Sequence, residues 1–182
     1  MVNDRKLNKE IVANRKARNN REWRNKVITP DRLALKAMLW RQAGWEVVLT
    51  CGCFDLLHVG HFRLLRDAAA QGNLLVVGIN SDRSVRTLKG PDRPMIPQQE
   101  RAEALASLSC VDAVTIFDED NPIKLIQAIQ PKVFCKGGNY KAKDLVEAEA
   151  VKNCEGRVLI LPFTRGHSST SLIDKLAGFG EA

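Results

Sequence analysis

Val47–His61 reads VVLTCGCFDLLHVGH, and its reading decides the fold. Val47, Val48 and Leu49 form a short apolar run that ends in a tight turn at Gly52. His58 and His61 follow, with Gly60 between them, where a helix is expected to begin. A strand, a glycine-bearing turn and a helix start present backbone N–H groups and the positive end of a helix dipole to an anion. Two imidazoles three residues apart at such a place point to phosphate chemistry more than to metal binding or acid–base work alone.

The same alternation continues on both sides. Thr29-Pro30-Asp31 resembles a helix start, with helical spacing from Leu33 to Gln42 and a stop at Gly44. Strands are expected at 46–50, 74–79, 111–117, 133–135 and 158–161. Helices are expected from about 61 to 71, 98 to 108, 122 to 129 and 144 to 153, with a last one capped by Ser168-Ser169-Thr170 and running through Leu176. Residues 80–97, rich in glycine, proline and charge, read as one long loop suited to covering a substrate. Short apolar runs alternating with helices imply βαβ units. The expected fold is a three-layer α/β domain: a Rossmann-like parallel sheet with helices on both faces and right-handed crossovers.

Length and charge bound the function. At 182 residues the chain suits one domain plus an appendage, and 45% hydrophobic with 27% charged residues is the balance of a soluble protein. No apolar run approaches the roughly 20 residues that span a bilayer. The basic, polar N-terminus does not read as a secretory signal. The five cysteines, scattered and without a C-x-x-C pair, read as reduced thiols of a cytoplasmic protein rather than a zinc site. Residues 1–30 carry nine Lys/Arg against three acids, so six of the seven net positive charges lie there. The division expected is a basic extension at 1–28 and a globular domain at 29–182. An arm for nucleic acid is one reading of the extension. The favoured one is a partly helical segment that packs on the domain or a second subunit, because Ile11, Val12, Trp23, Val27 and Ile28 supply apolar anchors.

In a sheet of this type function gathers beyond the C-terminal ends of the strands. Sorting the polar residues by that rule brings together Asp55, His58 and His61, then Asn80, Ser81, Asp82, Lys89 and Arg93. Lys136-Gly137-Gly138 and His167 to Thr170 complete the set. Donors and cations dominate it, as a site for several phosphates requires. Each element has a plainer reading: Ser168-Ser169-Thr170 as a helix cap, Lys136-Gly137-Gly138 as a turn, Cys53 and Cys135 as packing residues.

These residues resemble a known family. His58-Val59-Gly60-His61 is the H-x-G-H signature of the nucleotidyltransferase superfamily that includes cytidylyltransferases and pantetheine-phosphate adenylyltransferases. Ser168–Ile173 is similar to its C-terminal phosphate motif. From about Thr29 to Leu176 the chain looks most like the heptose 1-phosphate adenylyltransferases that make ADP-heptose. Gly52–His61, Asn80–Asp82, Leu88–Pro94, the pair Glu100 and Arg101, and Lys136–Tyr140 all occur in order. The resemblance implies a nucleotidyltransferase-type fold at 29–182 and transfer of AMP from ATP to a sugar 1-phosphate, D-glycero-β-D-manno-heptose 1-phosphate, with release of pyrophosphate. It implies Mg2+ bound with the ATP and a homodimer.

By that resemblance His58, His61 and Lys136 are catalytic. Gly52, Cys53, Phe54, Asp55, Gly60, Asn80, Asp82, Gly137, Ser168, Ser169 and Thr170 bind the nucleotide and its phosphates. Cys51, Lys89, Arg93 and Asn139 are candidates for the acceptor side. Cys51, Asn139 and Glu147 depart from the family pattern, where Asn, Asp and a small residue are usual, and leave the acceptor open. The alternatives are a cytidylyltransferase acting on a polyol or amino-alcohol phosphate, or a nucleotide- or nucleic-acid-binding module that works through its basic arm.

Overall fold

The computed structural model describes residues 23–162, together with Ser169 and Ile173. Five parallel strands form one sheet: β1 (Val47–Gly52), β2 (Leu74–Asn80), β3 (Ala113–Phe117), β4 (Val133–Gly137) and β5 (Arg157–Leu161). Their order in space is β3-β2-β1-β4-β5. The chain winds outward from β1 to β3, returns to the other side of β1 at β4, and ends at β5. The direction of winding therefore reverses between β1 and β4, where a crevice opens beyond the strand ends. Because both faces are covered, the central strands read as unbroken apolar runs, and every residue of β2 is buried.

Two helical layers cover the sheet. On one face lie α1 (Trp23–Lys26), α3 (Val59–Ala69) and α5 (Gln98–Ala106), whose Leu65, Ala68, Ala102 and Leu105 meet Val48, Leu75 and Val77. On the other lie α2 (Pro30–Gln42), α6 (Ile123–Ile129) and α7 (Ala148–Asn153), whose Leu33, Ala37, Ile126 and Val151 meet Leu49, Val76 and Phe134. At Cys51, β1 lies against Gly78 of β2. A Cβ on Gly78 would stand 2.8 Å from the Cys51 sulfur and 2.7 Å from Leu125, so only glycine fits.

Two expectations fail locally. Residues 80–97 are not one loop, because α4 (Asp82–Lys89) occupies half of them. Ser81 caps it, its hydroxyl accepting from the Ser84 amide at 3.1 Å, and Ser84 and Val85 are buried beneath it. The helix expected over 144–153 is instead a 3-10 turn (Ala142–Asp144) and α7, separated by the extended Leu145 (φ −81°, ψ 134°) with its buried side chain. Burying Leu145 outweighs helical continuity there.

The described part of the N-terminal extension belongs to the packing. Trp23 and Val27 rest on the core, and the Lys26 ammonium donates to the Leu108 carbonyl at 3.0 Å. Val27 pairs with Val114 as a parallel bridge, and the Ile28 amide donates to the Val114 carbonyl at 2.9 Å. Residues 27–28 thus lie along the outer edge of β3. Residues 1–22 and the final helix expected through Leu176 fall outside the described residues, apart from Ser169 and Ile173, which are helical.

Candidate active site

A cavity of about 250 Å3 opens where the strand winding reverses. Its floor is the end of β1 and the turn after it, from Cys51 to Asp55. The start of α3 supplies His58, Gly60 and His61 on one side, and Lys136 and Gly137 close the other from the end of β4. Lys89 reaches in from the end of α4, and Ser169 from beyond β5. Residues separated by more than 100 positions thus meet at one crevice.

The two histidines cap α3 reciprocally. The Gly60 amide donates to His58 Nδ1 at 3.1 Å, and the His58 amide donates to His61 Nδ1 at 3.4 Å. An Nδ1 that accepts carries no proton, so the hydrogen of a neutral imidazole in this arrangement sits on Nε2. The rings lie 3.9 Å apart between centroids. Burial, then the neighbouring His58 and Lys89, holds the His61 pKa down to about 4. His61 is therefore neutral at physiological pH, a state suited to donating a hydrogen bond rather than to carrying a proton.

Phe54 shapes this wall. Its φ of 46° lies in the left-handed region that non-glycine residues seldom adopt. The buried ring sits 5.3 Å from that of His61, so packing holds the unfavourable backbone in place. Burial raises the thiol pKa of Cys51 and also that of Cys53, leaving both protonated and unreactive as nucleophiles. The Glu147 carboxylate adds to the effect at Cys51.

The cations divide by partner. Among the described residues Lys89 has no ion pair, which leaves its charge to the cavity. Lys136 donates to Glu147 Oε1 at 2.6 Å and lies 5.7 Å from the centre of the Tyr140 ring. The Ser169 hydroxyl donates to the Leu56 carbonyl at 2.9 Å, tying the chain after β5 to the turn after β1.

Other expected site residues are placed differently. Asp55 borders the cavity, but its carboxylate faces residues 93–96: it accepts from Arg93 Nε at 2.7 Å, the Met95 amide at 2.9 Å and the Ile96 amide at 3.0 Å. Arg93 is turned inward onto that carboxylate, its side chain 11% exposed, and does not line the cavity. Asn80 and Asp82 do not line the cavity, because β2 lies one strand away from the crevice. Asn139 is exposed and outside it. His167, Ser168 and Thr170 fall outside the described residues.

Arg101 explains where Asn80 and Asp82 are used. It is 1% exposed and donates to the carbonyls of Cys53, Ile96 and Asn80 and to Asp82 Oδ1 at 2.7 Å. The ends of β1 and β2 and the segment around Ile96 are thereby locked to one guanidinium. Its signal is visible in the sequence: Arg101 stands four residues before Leu105, a cation on the face that α5 buries.

Known proteins resemble this chain in sequence and in fold. The cytidylyltransferase-like family model matches residues 49–175. The bifunctional protein HldE of Koribacter versatilis is 51% identical over 150 residues, covering 82% of this chain and 31% of that protein. HldE of Methylobacillus flagellatus is 43% identical over 176 residues, covering 97% of this chain and 35% of its own length. The chain thus spans about a third of the length of these relatives. A lipopolysaccharide core biosynthesis protein from Thermoplasma volcanium shares the fold, with a TM-score of 0.55 and 24% identity over 68% of this chain and all of its own. A sheet wound in the order 3-2-1-4-5 has its H-x-G-H turn at the crevice and a family model over most of its length, and the chain belongs to the cytidylyltransferase-like family.

Proposed function

We propose that the protein is a heptose 1-phosphate adenylyltransferase, joining AMP from ATP to D-glycero-β-D-manno-heptose 1-phosphate. The observation that carries this reading is the meeting of His58 and His61 at the start of α3 with Lys89 and Lys136 around one crevice. The HldE relatives, at 43–51% identity over most of this chain, support the choice of nucleotide and acceptor.

A phosphate oxygen of the sugar 1-phosphate attacks the α-phosphorus of ATP, the bond from that phosphorus to the bridging oxygen breaks, and pyrophosphate leaves with the electron pair. The nucleophile is already an anion at neutral pH, so no general base is needed, and a neutral His61 suits the task. Rate comes from positioning and from donors that meet growing charge on the α-phosphate and the leaving group. His58 and His61 supply directional N–H groups there, Lys136 and Lys89 supply charge, and Ser169 anchors the chain beyond β5 near the phosphates.

Mg2+ fits this site only as a companion of the nucleotide. Asp55, the carboxylate in the first loop, gives its oxygens to Arg93 and two amides, and no cluster of three metal-binding side chains occurs among the described residues. The metal would arrive on the triphosphate of ATP.

Pyrophosphate release measured over ATP, CTP, GTP and UTP, each with hexose and heptose 1-phosphates and with glycerol phosphate, tests the reading. ATP with the heptose 1-phosphate is expected to be the fastest pair. Preference for CTP with glycerol phosphate would replace it by the cytidylyltransferase alternative. No turnover with any pair, together with retained nucleotide binding, would leave a binding module.

A further inference from the structure

We propose that Glu147 is a positioning residue for Lys136, holding the ammonium by one N–H so that the other two point into the cavity. The proposal rests on Lys136 serving as a phosphate ligand, as in the reading above. Glu147 immediately precedes α7 and does not line the cavity. Its side chain is 2% exposed, and Oε1 lies 2.6 Å from Lys136 Nζ. Oε2 is buried without a hydrogen-bond partner, so Lys136 is the only donor this carboxylate has among the described residues. A buried carboxylate with a single partner holds that partner strongly.

Lys136 needs such a hold. A lysine head is a point charge on a flexible four-carbon stem, and fixing it sacrifices rotamer freedom. Its side chain is 27% exposed here, and without a fixed acceptor the ammonium would follow solvent. Tyr140 bounds the other side, folded over Gly138, whose φ of 141° and lack of a Cβ allow the ring within 2.5 Å of where a Cβ would stand. An ammonium has three donors. One goes to Glu147, and the geometry of the first directs the remaining two.

The arrangement carries a distinctive signature. Glu147 fixes Lys136 but also cancels part of its charge, so it sharpens geometry at the expense of attraction for phosphate. Charge and hydrogen bonding can be separated by substitution. Glu147→Gln keeps an acceptor oxygen and removes the charge: ATP is expected to bind about threefold tighter or more, with kcat within about threefold of wild type. Glu147→Ala removes both, and kcat is expected to fall about tenfold or more while ATP binding does not weaken. A residue needed only for folding would weaken binding and turnover together in both variants.

The decisive experiment is a double-mutant cycle with Lys136→Met, read by calorimetric ATP binding, by kcat and by thermal midpoint. With Lys136 replaced, Glu147→Ala should change kcat by no more than about twofold, because no ammonium is left to position, while loss of the Glu147 charge still does not weaken ATP binding. Lys136→Met alone should lower the thermal midpoint by stranding the carboxylate, and adding Glu147→Gln should restore it. If Lys136→Met folds poorly, the Lys136→Met/Glu147→Gln protein serves as the reference. A full kcat loss on Glu147→Ala in the absence of Lys136 would overturn the proposal, as would weaker ATP binding in Glu147→Gln. The binding arm needs no acceptor sugar, so a wild type that binds ATP but rejects heptose 1-phosphate refutes the proposed function and still tests Glu147. A wild type that binds no ATP overturns both.

Discussion

Replacing Asp55 by alanine should loosen residues 93–96 from the turn after β1, and the size of the effect follows from its contacts. The Asp55 side chain is 1% exposed and accepts from a guanidinium nitrogen and two backbone amides at 2.7–3.0 Å. Hydrogen bonds to a charged group are worth about 1.5–3 kcal/mol each, but three that share two oxygens do not add. Removing one member of a buried ion pair costs about 3–5 kcal/mol, because the other charge stays buried alone. Arg93 is 11% exposed and can relax toward solvent, which places the loss near the lower end, about 3 kcal/mol. For a domain of this size that lowers the thermal midpoint by about 6–12 °C. Asp55→Asn keeps one acceptor oxygen and should lose about half as much.

The pH dependence gives a second reading of the same contact. Burial raises the Asp55 pKa, but the Met95 and Ile96 amides and then Arg93 outweigh it, so the folded carboxyl titrates below its ordinary value of 3.8. A lowered folded pKa stabilises the protein above the unfolded value and loses that stabilisation as pH falls through the folded one. The gap between wild type and Asp55→Ala should therefore be full at pH 5–8 and shrink below about pH 4. Scanning calorimetry from pH 3 to 8 measures it. A midpoint within 2 °C of wild type at pH 7, or a gap that widens in acid, would refute the reasoning.

Other consequences can be tested in parallel. On the proposed function His61→Ala should fold and lose at least about a hundredfold in kcat, read by pyrophosphate release, since one donor to the reacting phosphates would be removed. Because the folded His61 pKa lies near 4, protonation of His61 should contribute no step to the kcat/KM profile between pH 5 and 8, which a pH series on wild type and His61→Asn compares. The same depressed pKa makes acid unfolding start early: His61 contributes stability above the ordinary histidine value of 6.5 and loses it progressively down to about 4. Arg101→Met should be among the most damaging single changes, about 3–5 kcal/mol in urea unfolding, because it strands three carbonyls and the Asp82 carboxylate.

The sheet and the histidine turn were legible because their signals are local. Apolar runs of strand length and a glycine between two histidines need no partner to be read, and α2 starts and stops at Pro30 and Gly44 as the sequence suggests. What stayed hidden depends on distance in space. Asn80 and Asp82 follow a strand in the manner of ligand-binding residues, yet their strand lies one place from the reversal of winding, and sheet order is not written in any short stretch. Asp55 and Arg93 both read as candidates because each is charged and near a strand end. Only the fold shows that they face each other across 38 residues. The helix over Asp82–Lys89 was masked by its charge, since just Ser84 and Val85 are buried there. Glu147 was visible as a departure from a family pattern, but its bond to Lys136 spans 11 residues and a break in helix that nothing local foretells.

The pairing of Val27 and Ile28 with Val114 bears on how this protein avoids sticking to itself. An outermost strand with unsatisfied carbonyls and amides is a template for another chain, and β3 is such a strand, with Ala113, Val114 and Thr115 wholly buried in side chain. The chain blunts that template with its own preceding residues, spending the Val114 carbonyl on Ile28. A version trimmed to begin at Thr29 would keep the crevice and every residue around it, but would leave that border open. Its weakness would then show first as turbidity on concentration or storage rather than as a slower reaction.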